Sequence, residues 1–255
     1  MYTDNILKLA VFAGKIILEN GGETYRTEDT ITRMLENKVD IVETFVTPTG
    51  IFASVEVDGK ILTIVRRVKK RIIDLNKVAL VNDFSRRFAK EKGNNIDCNK
   101  YMKELNDIDK KKKYNYYFRI TSAGIAAAAS GMMIGNKLHD FIPTFITAIL
   151  LQALVAYFEK LKFSTFIINI LGGSFVSVFA ILFSQMGIGS LDGIIIGSIM
   201  TLVPGVTLTN AVRDAISGDF LSGVSRGIEA VVAAISIAVG VGALLKIWFI
   251  LGGIL

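Results

Sequence analysis

Residues Thr201–Ala230, TLVPGVTLTNAVRDAISGDFLSGVSRGIEA, decide how this chain is read. The stretch begins inside a long apolar run, breaks at Pro204-Gly205, and carries Thr207, Thr209, Asn210, Arg213 and Asp214 before the chain turns apolar again at Ala230. A proline removes one backbone donor and clashes with the preceding turn, and the adjoining glycine loosens the helix further. The sequence therefore predicts a membrane helix interrupted at Pro204-Gly205. Backbone groups freed at membrane depth are tolerated only where they face protein or a polar cavity, so the first functional hypothesis is a transport site.

The rest of the chain fits that setting. Of its 255 residues, 51% are hydrophobic, and a mean hydropathy of +0.49 lies outside the range of ordinary soluble proteins. Nearly all the charge precedes Arg119 and most of the uninterrupted apolar sequence follows it. Two domains in two solvents result, residues 1–115 and 116–255. The net charge of +6 comes with a cluster, Lys110-Lys111-Lys112-Lys113, directly before the first apolar run. That placement suits a juxtamembrane anchor against anionic headgroups and argues against nucleic acid as a partner.

Five spans are expected in the second domain: Phe118 to Asn136, Phe141 to Phe158, Phe163 to Met186, Leu191 to Val212 with its break, and Gly227 to Leu251. Lys160 and Lys162 fall between spans two and three, and Arg213 and Arg226 between spans four and five. The opposite loops hold only Lys137, near His139 and Asp140. The asymmetry puts the N-terminal domain in the cytoplasm and the C-terminus outside, in a multi-pass protein of the cytoplasmic membrane. Leu7 to Leu18, interrupted by Lys8, Gly14 and Lys15, does not read as a secretory leader. Glycines at fourfold spacing, such as Gly131/Gly135 and Gly193/Gly197, read as close helix packing. Ala215 to Ser225 reads as a re-entrant or interfacial hinge.

The first domain reads as α-α-β-β-β-α-α. An amphipathic helix over residues 4–19 closes at Asn20-Gly21-Gly22, and a second runs from Thr24 to Asn37. The charged residues Glu23, Arg26, Glu28, Asp29 and Arg33 read as a solvated face with local ion pairs. Three β-rich runs, 41–46, 51–57 and 61–65, are punctuated by Thr47-Pro48-Thr49-Gly50 and Asp58-Gly59. The Asp-Gly pair predicts a tight hairpin. The hydroxyls of Thr47, Thr49 and Ser54 are expected to bond backbone nearby rather than a ligand. Helices over 74–92, stopped by Gly93-Asn94-Asn95, and over 97–112 complete an α+β arrangement ahead of the all-α transmembrane bundle.

A helix restarting after Pro204-Gly205 would aim unpaired N–H groups and its positive dipole end at the break, where a small carboxylate binds well. Thr207, Thr209 and Asn210 would orient the solute, with Asn210 the leading side chain and Asp214 beside it. Arg213, Arg226 and Glu229 are candidates for gating or coupling, since ionisable groups at membrane depth tend to be functional. The bland alternative is an Arg226–Glu229 or Arg213–Glu229 pair holding helices together. A single cysteine, Cys98, and a single histidine, His139, exclude a cysteine or histidine metal cluster. There is no nucleophile–base constellation for an enzyme and no nucleotide-binding motif, so no cofactor is expected and an ion gradient is the default energy source.

The pattern Leu202-Val203-Pro204-Gly205, Leu208, Asn210-Ala211, Asp214, Gly218, Gly223 and Arg226, together with Gly21-Gly22-Glu23-Thr24, resembles the signature of the threonine/serine exporter (ThrE) family, in particular its YjjP-type half. The resemblance covers both halves of the chain. It implies export of small amino acids or short, succinate-like dicarboxylates. It also implies a second, YjjB-type membrane subunit or a fused equivalent, which residues 1–255 do not contain. Five glycine- and serine-rich helices also suggest homo-oligomers or a second subunit on their own account. The competing reading is a membrane-tethered regulatory or ligand-binding protein whose helices only anchor it.

Overall fold

A computed structural model describes residues 2–69, 72–91, 96–112 and 114–252. The Gly93-Asn94-Asn95 stop and Lys113 of the lysine cluster lie outside them. The chain divides into two compact units, Met1–Lys113 with Val206–Ile228, and Tyr114–Gly205 with Glu229–Leu255.

In the first unit, α1 (Tyr2–Glu19) and α2 (Thr24–Leu35) precede β1 (Ile41–Thr47), β2 (Gly50–Val57) and β3 (Lys60–Arg67), with α3 (Leu75–Ala89) and α4 (Cys98–Lys110) after them. The expected order of elements is present. The strands form one antiparallel sheet, β1-β2-β3, in which Phe45 faces Phe52 and Phe52 faces Val65. Asp58 and Gly59 take φ of 50° and 71° at the β2–β3 turn, the left-handed pair that matches strand twist. The Thr47 hydroxyl bonds turn backbone as expected, accepting from Thr49 N–H and donating to Gly50 O, each at 3.4 Å, whereas Ser54 bonds the Thr63 hydroxyl across the sheet at 2.9 Å.

Helix α1 is amphipathic as its spacing predicts and forms the centre of this unit, with Leu7, Leu9, Ala10, Ala13, Ile16 and Ile17 all fully buried and Lys8 exposed. It packs on α2, α3, α4, β2 and β3, which leaves little of its circumference for water. Val46, Ile51, Ala53 and Val55 supply the sheet's side of the core, and Phe84, Phe88 and Leu105 supply that of α3 and α4. Asp74 caps α3 by accepting from Lys77 N–H at 3.3 Å.

The unit also contains α9 (Gly205–Ile216) from Val206 onward, and the start of α10 (Phe220–Ile250). The hinge expected over 215–225 is instead a tight helical hairpin. Gly218 turns at φ +92°, and Asp219 caps α10 by accepting from Ser222 N–H at 3.2 Å. The two helices cross closely at Gly223, where a Cβ would lie 2.9 Å from Ala211 O and 3.0 Å from Ala215 Cβ.

The second unit holds α5 (Tyr116–Ile134), α6 (Phe141–Lys160), α7 (Thr165–Gln185), α8 (Leu191–Ile199) and the remainder of α10. Among the described residues, three helical stretches are long and apolar enough to cross a membrane: Leu138–Lys160, Thr165–Gln185 and Phe220–Ile250. Two of the five expected spans are not in that set. Arg119 and a run of alanine, glycine and serine dilute the apolar character of α5, and α8 is a helix of only 9 residues. The fourth span is interrupted: α8 ends at Ile199, turns pass through Met200–Pro204, and α9 begins at Gly205. The fifth, expected from Gly227, begins two turns earlier because the Asp219 cap starts α10 at Phe220.

Small residues set the helix contacts as expected. A Cβ on Gly131 would lie 3.3 Å from Gly197 Cα, one on Gly173 would lie 2.7 Å from Ile237 O, and one on Gly240 would overlap Ile170 O. Ser174 Oγ donates to Gly240 O at 3.0 Å across the same α7–α10 crossing.

Candidate functional site

Gly21-Gly22-Glu23-Thr24 and the α9–α10 hairpin converge within the first unit. Helix α1 ends with Asn20 Nδ2 donating to Ile16 O at 2.7 Å and Gly22 N–H donating to Ile17 O at 2.9 Å. Gly21 adopts φ +90°, while a Cβ on Gly22 would overlap Ile17 Cγ2. The first glycine supplies the left-handed turn and the second a close approach. The turn presents two carbonyls and the N-terminus of α2 to the hairpin.

Four hairpin side chains meet it. Asn210 Nδ2 donates to Gly21 O at 2.9 Å, and Arg226 Nη2 donates to Gly22 O at 2.9 Å. Asp214 Oδ1 accepts from Thr24 N–H at 3.1 Å, and its Oδ2 lies 3.1 Å from Arg226 Nε. Arg213 Nη1 donates to Glu23 Oε1 at 2.7 Å, while Arg26 Nε donates to Glu23 Oε2 at 2.6 Å. Asn210 and Asp214 are one helical turn apart and therefore share a face of α9. Asn210, Asp214 and Arg226 are buried. The Asp214 carboxylate occupies the position at the start of α2 where an anion is stabilised by free N–H groups and the helix dipole.

Glu23 corrects the expectation of a solvated face. Its side chain is only 7% exposed and held by two arginines. Burial pushes its carboxyl up, but hydrogen bonds from Arg26, its own backbone and Arg213 outweigh that and hold it down to about 2. Glu28, also expected in solvent, accepts from Val46 N–H at 2.8 Å, and burial pushes its carboxyl up. Asp29 and Arg33 do form an exposed local pair. The sequence signal for Glu23 was its place directly after two glycines at a helix junction, a position suited to capping rather than to an open surface.

The other candidates lie elsewhere. Thr207 is half-buried and Thr209 is exposed, so neither joins these bonds. Pro204, Gly205 and Glu229 belong to the second unit. Gly205 N–H bonds Val203 O at 2.8 Å, and the following amides start α9 without acceptors in their own helix. The arginines of the hairpin pair with Glu23 and Asp214. No group of three or more His, Cys, Asp or Glu suited to a metal ion occurs among the described residues.

Asp140 carries no role in the sequence reading. It is 1% exposed and accepts from Ser190 N–H at 2.6 Å, Ser190 Oγ at 3.0 Å and Lys137 N–H at 3.1 Å. It ties the start of α6 to the start of α8, and a Cβ on Gly193 would lie 2.5 Å from its Oδ2.

Among the described residues, three helices of membrane-crossing length mark a membrane protein, and the first unit adds a buried polar clasp. The family model described as "Putative threonine/serine exporter" (ThrE) matches residues 8–248, and the chain belongs to that family. It is similar to the "Probable threonine/serine exporter" of Mycobacterium tuberculosis (strain ATCC 25618 / H37Rv), with 21% identity over 247 residues, covering 94% of this chain and 46% of that protein. The chain therefore spans about half the length of this curated relative. No solved structure matches it.

Proposed function

We propose that this chain is part of a secondary transporter that exports threonine- or serine-like amino acids, or short succinate-like dicarboxylates, across the cytoplasmic membrane. In this reading residues 1–115 lie in the cytoplasm, residues 116–255 cross the membrane five times, and the C-terminus is outside. A YjjB-type membrane subunit or further copies of the chain complete the path. Pro204, Gly205, Thr207 and Thr209 receive the solute carboxylate at the start of α9. Asn210 and Asp214 join solute binding to gating, because they are the residues held by Gly21 and Thr24, while Arg213, Arg226 and Glu229 serve gating or coupling.

The observation that carries this reading is the helix interruption at Met200–Pro204, followed at once by a hairpin with four polar side chains in one bonded network. Ionisable groups that follow directly on a membrane helix tend to be functional. The network then alternates between the clasped arrangement and one in which the solute replaces part of it.

A specific observation favours the second reading, a tethered binding protein: the first unit has an extensive core of its own. Liposomes loaded with radiolabelled threonine, serine or succinate, with this chain alone or with a candidate second subunit, separate the two. Gradient-dependent efflux supports the exporter. Efflux no faster than from protein-free liposomes under both conditions, with ligand binding retained by the full chain, supports the tethered protein.

A further inference from the structure

The second unit contains an open cavity of about 320 Å³, of mixed apolar and polar lining, between the start of α5 and the end of α6. This is near the lower end of the roughly 300–1,000 Å³ typical of small-molecule sites, so it suits a compact solute. Tyr114 and Tyr116 form part of its wall, and its polar lining includes Arg119, Ser122, Gln152 and Glu159. On α6 the lining residues Gln152, Val155, Ala156 and Glu159 fall at i, i+3, i+4 and i+7, one continuous stripe. The amide and the carboxylate thus sit at its two ends, about 10 Å apart along the axis. On α5, Ser122 lies one turn inward from Arg119.

Both charges are placed against the preference of their own helices. Arg119 is in the first turns of α5, where the dipole disfavours a cation, and Glu159 is in the last turn of α6, where it disfavours an anion. Among the described residues neither forms a salt bridge, with the other or with any third group. Arg119 and Glu159 are both exposed along this open cavity, and a cation and an anion so placed, each disfavoured by its own helix and with no ion partner among the described residues, are complementary to a ligand carrying both opposite charges. The aromatic wall adds a surface on which an ammonium group is stabilised.

We propose that this cavity is a loading site for a zwitterionic α-amino acid with a hydroxyl side chain. Arg119 holds the carboxylate, Glu159 the ammonium group, and Ser122 with Gln152 the hydroxyl. The inference rests on the exporter reading above. The basic flanks Lys110–Lys112 and Lys160–Lys162 put this end of α5 and α6 on the cytoplasmic side in that reading, where an exporter collects its solute. The site also excludes dicarboxylates: a second carboxylate would face Glu159. A phosphatidylethanolamine headgroup carries the same pair of charges and is the other source of this chemistry.

The test is equilibrium binding of radiolabelled threonine to the detergent-purified full chain, with and without added phosphatidylethanolamine, alongside liposome efflux. Threonine methyl ester lacks the carboxylate and N-acetylthreonine lacks the ammonium group. Wild type should prefer threonine to either by about tenfold or more, the usual cost of one lost charge-assisted bond. Arg119→Gln should lose its preference over the ester alone, and Glu159→Gln its preference over the N-acetyl compound alone. These changes in selectivity are read from the folded, binding-competent fraction. Wild-type selectivity in both variants, with efflux intact, overturns the loading site and leaves the exporter standing. Retention of phosphatidylethanolamine with no threonine binding assigns the cavity to lipid and also overturns it. Neither binding nor efflux of any amino acid by wild type overturns the site and the exporter reading together.

Discussion

Replacing Asp214 by alanine tests whether the clasp between Gly21–Thr24 and the hairpin is a cooperative unit. Asp214 is fully buried, accepts the Thr24 N–H and stands 3.1 Å from Arg226 Nε, whose side chain is 9% exposed. Removing one partner of a buried pair costs about 3–5 kcal/mol, because it strands the other charge. Arg226 keeps its bond to Gly22 O, which places the expected loss at the low end, about 3 kcal/mol. Hydrogen exchange of peptides covering Gly21–Thr27 reads this locally. Exchange should accelerate by about a hundredfold, since each 1.4 kcal/mol is a factor of ten. The companion variant Arg226→Met removes the stranded charge. The double variant should therefore be less destabilised than the sum of the singles, by about 2 kcal/mol. Additivity to within about 0.5 kcal/mol would refute the reasoning, because uncoupled sites behave in that way.

Glu23→Gln should abolish a pH-dependent part of the stability. The carboxyl is depressed from 4.5 to about 2, so its contribution is fully present above pH 4.5 and is lost as pH falls through about 2. Allowing for the wet surroundings of Arg213, which is 54% exposed, the loss at pH 7 should be about 1–2 kcal/mol. Melting of wild type and variant at pH 7, 4 and about 2 should show the difference shrinking steeply between the last two. Gly240→Ala should separate α7 from α10, because its Cβ would overlap a backbone oxygen of Ile170, whereas Gly242→Ala meets nothing within 4 Å. Thermal aggregation in detergent should show the first destabilised by about 1–3 kcal/mol and the second unchanged.

Local chemistry was readable from sequence, and distant pairing was not. The sheet, the Asp58-Gly59 turn and the Asp74 cap follow from periodicity and turn residues within a few positions of one another. The break near Pro204 followed from the missing donor of that residue. The clasp joins groups 189 to 204 residues apart, and no period or motif spacing records such a match. Glu23 was read as solvated because Arg26 offered a sufficient local partner. Its second arginine comes from α9. Asp140 is a further case: its bonds to Ser190 reach a residue 50 positions away. The buried side of α1 was legible from its apolar spacing, with Lys8, Lys15 and Glu19 left outside the core.

The central claim is that the polar face of α9 serves transport as well as packing. The most direct measurement is the initial rate of gradient-driven threonine efflux from liposomes containing equal, verified amounts of wild type, Asn210→Ala or Asp214→Ala. Efflux should be abolished in both variants, although Asn210→Ala removes only one neutral hydrogen bond and should cost about 1 kcal/mol of stability. Wild-type efflux rates in both inserted variants would contradict the claim and leave the clasp as a purely structural joint.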